Sequence, residues 1–130
     1  MREQPLVLIV DDDNDFREIV ATKLKTSGFN VEEAKDGEEG VRRTKELAPD
    51  LVLMDVKMPV MNGIEALVEI KKNEATKGCK VVFLTAFGDT QPEIYKNDQR
   101  FAQEMGAFDY IVKTQDLDKI TEKVREVLKR

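Results

Sequence analysis

Residues 6–13 read LVLIVDDD, five apolar residues followed by three carboxylates. A run that short and that rich in Leu, Val and Ile reads as a strand buried on both faces, as in a parallel sheet covered by helices. Three later runs end on a reactive group in the same way. LVLM at 51–54 precedes Asp55, KVVFL at 80–84 precedes Thr85, and YIV at 110–112 precedes Lys113. In an open α/β sheet the functional crevice lies beyond the carboxyl ends of the strands. Asp11, Asp12, Asp55, Thr85 and Lys113 are therefore expected on one edge, where carboxylates, a hydroxyl and an ammonium suit Mg²⁺ and a phosphoryl group.

Outward from these runs the chain is punctuated as helices. Phe16, Ile19, Val20 and Leu24 recur at helical spacing, and Gly28 supplies a stop. A short strand is expected near 31–34. Asp36 and Glu39 then form a capping-box pattern for a second helix, which Pro49 closes. Asn62-Gly63 opens a third helix with Ile64, Leu67 and Ile70 on its apolar face. Thr90 and Glu93, with Pro92 between them, predict a fourth helix that carries Ile94, Phe101 and Met105 and ends at Gly106. The last helix carries Leu117, Ile120, Val124, Val127 and Leu128. Five β-α units without linker, repeat or low-complexity stretch predict an α/β fold over residues 1–130 as a single domain. Right-handed crossovers make it a doubly wound, five-stranded parallel sheet in the order 2-1-3-4-5 with five helices, of the flavodoxin-like kind.

Composition narrows the chemistry. The chain of 130 residues is long enough to bury a core, and no apolar run approaches the ~20 residues that span a bilayer. No membrane partner is expected. The start, MREQPLVLIV, has one basic residue and runs directly into the first strand, so no signal peptide is expected. A lone Cys79 fits a reducing, cytoplasmic setting. The net charge of −5 argues against direct nucleic-acid binding. With no histidine in the chain, Ser-His and Cys-His nucleophile pairs are excluded, and any metal must be held by oxygen. Any phosphohistidine belongs to another protein.

Singly, each residue has a plainer reading: Asp13 as a helix cap, Asp55 as a turn residue, Thr85 as a strand residue, Lys113 as a surface lysine. Met54, Met58, Met61 and Met105 are taken as packing residues. The joint placement at consecutive strand ends outweighs those readings. Adjacent carboxylates repel and raise one another's pKa unless a cation intervenes.

The sequence resembles the receiver domain of two-component response regulators, including stand-alone chemotaxis-type regulators, over essentially its whole length. VDDD at 10–13, PDLVLMDVKMPVMNG at 49–63, LTA at 84–86 and GAFDYIVK at 106–113 carry the likeness. The resemblance implies a phosphorylation-activated switch that accepts a phosphoryl group from a histidine kinase or histidine phosphotransfer protein. Asp55 would be the phosphoacceptor. Asp12 and Asp55 would bind Mg²⁺ (or Mn²⁺) directly, Asp11 mostly through water, and Lys57 through its backbone carbonyl. Thr85 and Lys113 would contact the phosphoryl oxygens, and Tyr110 would be the aromatic switch residue. The output partner would meet the face of the fourth helix, fifth strand and fifth helix. Enzymatic activity would be confined to the protein's own phosphotransfer and autodephosphorylation.

Three features set the chain apart within that pattern. The family usually has proline after the lysine, joined by a cis bond, whereas this chain has Thr114. A cis bond before a non-proline residue costs about 3–4 kcal/mol, so a trans Lys113-Thr114 bond and a repositioned loop are expected. The stretch between Thr85 and Gly106, including FGDTQPEIYKNDQRF, is longer than in the family and lies beside the expected output face. It is either a plain surface extension or a partner-specific surface. Lys57 and Phe87 lie two residues past Asp55 and Thr85, where the resemblance implies control of the attacking water, and bulky Phe87 predicts a long-lived phosphoryl group. Two other readings conflict with the sequence. A phosphatase of the haloacid dehalogenase type needs an Asp two residues after its nucleophile, where this chain has Lys57. A pseudo-receiver would lack part of the acid, Thr and Lys set, which is intact here.

Overall fold

A computed structural model describes residues 4–85, 104, 106–113 and 116–130. The apolar runs become β1 (Leu6–Val10), β2 (Asn30–Ala34), β3 (Leu51–Asp55), β4 (Lys80–Thr85) and β5 (Asp109–Val112). All pairings are parallel, and the order is β2-β1-β3-β4-β5, as the crossovers predicted. Four helices lie among the described residues: α1 (Asn14–Thr26), α2 (Gly37–Leu47), α3 (Gly63–Lys72) and a C-terminal helix (Leu117–Lys129).

Apart from Asp55, Lys80 and Thr85 at strand ends, the central strands β1, β3 and β4 are apolar because helices cover both faces. Alternate residues of β1, β3 and β4 point to opposite sides. Val7, Ile9, Leu51, Leu53, Val82 and Leu84 pack with Val20, Ala21 and Leu24 of α1 and with Ile120, Val124 and Val127 of the C-terminal helix. Leu8, Val10, Val52, Met54, Val81 and Phe83 pack on the other face with Ala66, Leu67 and Ile70 of α3.

Local chemistry sets the ends of the helices. Asp13 caps α1, accepting the Phe16 N–H at 3.1 Å, so its plainer reading holds. Gly28, at φ +100°, ends α1 with a Schellman pattern: Gly28 N–H donates to Lys25 O and Phe29 N–H to Leu24 O. Asp36 accepts the Glu39 N–H at 2.8 Å, and Asn62 and Glu65 form a full capping box on α3.

Ile19 departs from the expected buried face of α1 and is 53% exposed. The buried face centres on Val20, Ala21 and Leu24. At 3.6 residues per turn Ile19 falls on nearly the opposite side, with Phe16 on the flank.

The expected fourth helix, with Thr90, Pro92, Glu93, Ile94, Phe101 and Met105, lies outside the described residues, apart from helical Glu104. Phe87 and the Lys113-Thr114 bond lie outside them too. Gly106 has φ +105°, which suits its expected place as a stop. No described helix is long and apolar enough to cross a membrane.

Candidate functional site

Strand register brings the reactive groups together. Asp11 N–H donates to Ala34 O at 3.1 Å, carrying the β1–β2 ladder one residue past Val10. Asp55 ends β3 opposite Leu84, and Thr85 ends β4 opposite Val112. Lys113 N–H donates to Thr85 O, which sets the lysine just past the end of β5. Asp11, Asp55, Thr85 and Lys113 thus follow four neighbouring strands on one edge.

Side chains close the arrangement. Lys113 Nζ lies 2.9 Å from Asp11 Oδ2 and 3.2 Å from Asp55 Oδ2. The same ammonium lies 4.7 Å from the centroid of the Phe16 ring. Asp11 is wholly buried. Its Oδ1 accepts the Asp13 N–H at 2.9 Å, whereas its solvent-shielded Oδ2 pairs, among the described residues, with the Lys113 ammonium. Asp12 is exposed at the mouth.

The electrostatics follow from burial. Loss of solvent, then the Asp11 charge, push the Asp55 carboxyl up to about 6 against the pull of Lys113 and the Lys57 N–H. Burial alone would lower the Lys113 pKa, but Asp11 and Asp55 outweigh it and raise the lysine above its ordinary value.

Asp11, Asp12 and Asp55 each bring one carboxylate oxygen to within 4.8 Å of the others. All these donors are hard oxygens, and the Asp11 carboxylate among them is wholly buried. The set fits a Mg²⁺-like cation that keeps part of its water shell. Lys57 follows two residues after Asp55 with its side chain exposed, and its N–H bonds the Asp55 carboxylate.

Thr85 is buried at the end of β4. Tyr110, on β5, is 5% exposed, and its ring meets Phe83 edge-on at 5.9 Å between centroids.

Three supporting residues escaped the sequence reading. Gly63 starts α3 so close to β3 that a Cβ would lie 2.3 Å from the Asp55 carbonyl oxygen. Its N–H donates to Val56 O at 2.9 Å. In the sequence, Asn62-Gly63 signals a helix start but not this close approach. Phe16 and Arg17, on the first turn of α1, reach Lys113 and the Asp11 carbonyl respectively. Helical spacing says nothing of such contacts, because the partners lie on other elements.

The chain is similar to known proteins over most of its length. The response regulator receiver domain model matches residues 7–125. The chain is 32% identical over 126 residues to the DNA-binding dual master transcriptional regulator RpaA of Synechocystis, covering 97% of this chain and 50% of RpaA. Among solved structures, the chemotaxis protein CheY4 of Vibrio cholerae superposes with a TM-score of 0.83 at 27% identity, covering 95% of this chain and 98% of that one. The response regulator TrrA of Thermotoga maritima, solved in complex with Mg²⁺ and BeF, gives 0.81 at 31% identity, covering 95% and 99%. The chain spans at most about half the length of the first curated relatives it matches.

Proposed function

The chain belongs to the response regulator receiver domain family, and from that premise we propose that it is a phosphorylation-activated signalling switch of a two-component system. The observation that carries this reading is that Asp11 and Asp55 both lie within 3.2 Å of Lys113 Nζ, with Asp12 in the same carboxylate cluster. Residues 1–130 are read as one receiver domain, acting in the cytoplasm.

Asp55 is the phosphoacceptor. At neutral pH it is mostly ionised, since its carboxyl is pushed up only to about 6. One carboxylate oxygen attacks phosphorus in line, forming an acyl phosphate. The bond from phosphorus to the donor nitrogen of a partner's phosphohistidine breaks, and its electron pair stays on that nitrogen. Lys113 exchanges its contact with Asp55 for the arriving phosphoryl oxygens, and the Thr85 hydroxyl donates to them. When bound by Asp11, Asp12, Asp55 and the Lys57 carbonyl, Mg²⁺ (or Mn²⁺) would neutralise charge on those oxygens.

The product adds roughly −1.5 to −2 charges at the edge. A phosphoryl group bonded to Thr85 pulls on the end of β4, whose Phe83 packs against Tyr110. This links the charge to the face of the expected fourth helix, β5 and the C-terminal helix, where the output partner would dock. The partners are a histidine kinase or phosphotransfer protein upstream and an output protein or domain downstream. The protein turns over no other substrate.

The test is incubation with acetyl phosphate and Mg²⁺, read by intact mass. Gain of one phosphoryl mass by wild type, and none by Asp55→Asn, is expected. Absence of the gain in wild type would favour the pseudo-receiver reading.

A further inference from the structure

Arg17 sits on the first turn of α1 and is used nowhere in the chemistry above. Its Nη1 donates to the Asp11 backbone carbonyl at 2.7 Å. Its Nε donates to Glu33 Oε1, on β2, at 2.9 Å. Only 13% of the Arg17 side chain is exposed. A mostly buried guanidinium spanning two elements is held in one orientation by its fork of donors.

The bonded carbonyl is the telling detail. It belongs to the peptide unit between Asp11 and Asp12, and a peptide unit is planar. Fixing the Asp11 C=O therefore fixes the plane from which the Asp12 side chain departs. The preceding peptide is fixed as well, because Asp11 N–H donates to Ala34 O at 3.1 Å. β2 thus holds the backbone of the two acids at two points, directly through Ala34 and indirectly through Glu33 and Arg17.

We propose that Arg17, aligned by Glu33, is a positioning residue that presents Asp11 and Asp12 to the divalent cation. This rests on the reading that Asp11, Asp12 and Asp55 bind Mg²⁺. The sign of the effect separates positioning from plain electrostatics. Arg17 places a positive charge near a site meant for a cation. Its removal would strengthen Mg²⁺ binding if charge alone mattered, and would weaken it if the peptide plane mattered.

The experiment is Mg²⁺ titration by calorimetry on the whole chain without a phosphodonor, with thermal unfolding measured in parallel. Arg17→Gln is expected to raise the Mg²⁺ Kd on the order of tenfold, the usual scale for loss of a residue that orients metal ligands. Glu33→Gln, which still accepts the Nε–H bond, is expected to stay near wild type. Arg17→Lys keeps the charge but not the fork, and should also weaken binding. An Arg17→Gln protein that binds Mg²⁺ as well as or better than wild type overturns the proposal, whatever its stability. Should Arg17→Gln not fold, Arg17→Lys with a wild-type Kd overturns it equally. Wild type that gives no Mg²⁺ signal, or Asp12→Asn that binds as tightly as wild type, would instead bring down the reading of the metal site.

Discussion

The Lys113 ammonium lies 4.7 Å from the centroid of the Phe16 ring, while the carboxylates of Asp11 and Asp55 hold it at 2.9 and 3.2 Å. In this chain the lysine lacks the following proline that usually belongs to the motif. Phe16 offers another restraint, an aromatic surface that favours a cation and limits where its stem can go. Phe16→Leu keeps an apolar side chain but removes the π face. It is expected to slow phosphorylation by acetyl phosphate a few-fold, in line with about 0.5–1 kcal/mol for such contacts. Phe16→Tyr should stay near wild type. Equal rates in all three proteins would show that the ring has no such role.

A second prediction concerns stability and pH in the metal-free protein. Asp55 is pushed up to about 6, by burial first and by Asp11 second. The folded state therefore binds this proton more tightly than the unfolded chain does. Stability from this group is fully present below the unfolded value near 4 and is lost as pH rises through about 6. The loss is on the order of 1–2 kcal/mol, because solvent screens part of the charge. Asp55→Asn, which cannot ionise, should be more stable than wild type at pH 7 and similar at pH 4. Urea unfolding with a chelator present checks this. A mutant less stable than wild type at pH 7 would contradict it.

The third prediction uses a close approach. A Cβ on residue 63 would lie 2.3 Å from the Asp55 carbonyl oxygen and 3.0 Å from Phe83 Cε1. Gly63→Ala must push α3 away from β3, which should cost about 1–3 kcal/mol and displace the phosphoacceptor. Both unfolding midpoint and phosphorylation rate should fall. Gly78→Ala, where a Cβ meets nothing within 4 Å, should change neither.

These residues also mark how far the sequence could be read. β1, β3 and β4 were plain because both faces of the sheet are covered, which leaves unbroken apolar runs. β2 is an edge strand with Glu32 and Glu33 among its residues, so only its position between turn signals revealed it. The acids, Thr85 and Lys113 were legible because strand ends converge by topology alone. Ile19 misled because helical spacing shows a period but not where the buried face is centred. The roles of Phe16 and Arg17 beside the site are not legible in the sequence, for a deeper reason. Their importance lies in side chains that cross to Lys113 and Glu33, and no local pattern records such a crossing.

The fourth prediction concerns the anchoring of β5 to the C-terminal helix. Asp109 Oδ2 accepts from Lys123 at 3.0 Å and Arg130 at 2.7 Å, and Oδ1 accepts the Tyr110 N–H at 2.7 Å. Lys80 and Arg130 lie 5.0 and 5.6 Å from the centroid of the Phe108 ring, and Lys80 also donates to Val127 O at 3.1 Å. Burial pushes the Asp109 carboxyl up, but the Tyr110 N–H, Lys123 and Arg130 outweigh it and hold the group below the usual carboxylate range. Its contribution is therefore present above the unfolded value and lost as pH falls through the folded one. Asp109→Asn should cost about 1–2 kcal/mol at pH 7. The gap from wild type should close in acid as Asp109 itself takes up a proton. Unfolding curves at several pH values give the comparison. No gap at pH 7 would mean that packing around Phe108, and not the ionised carboxylate, ties the helix to β5.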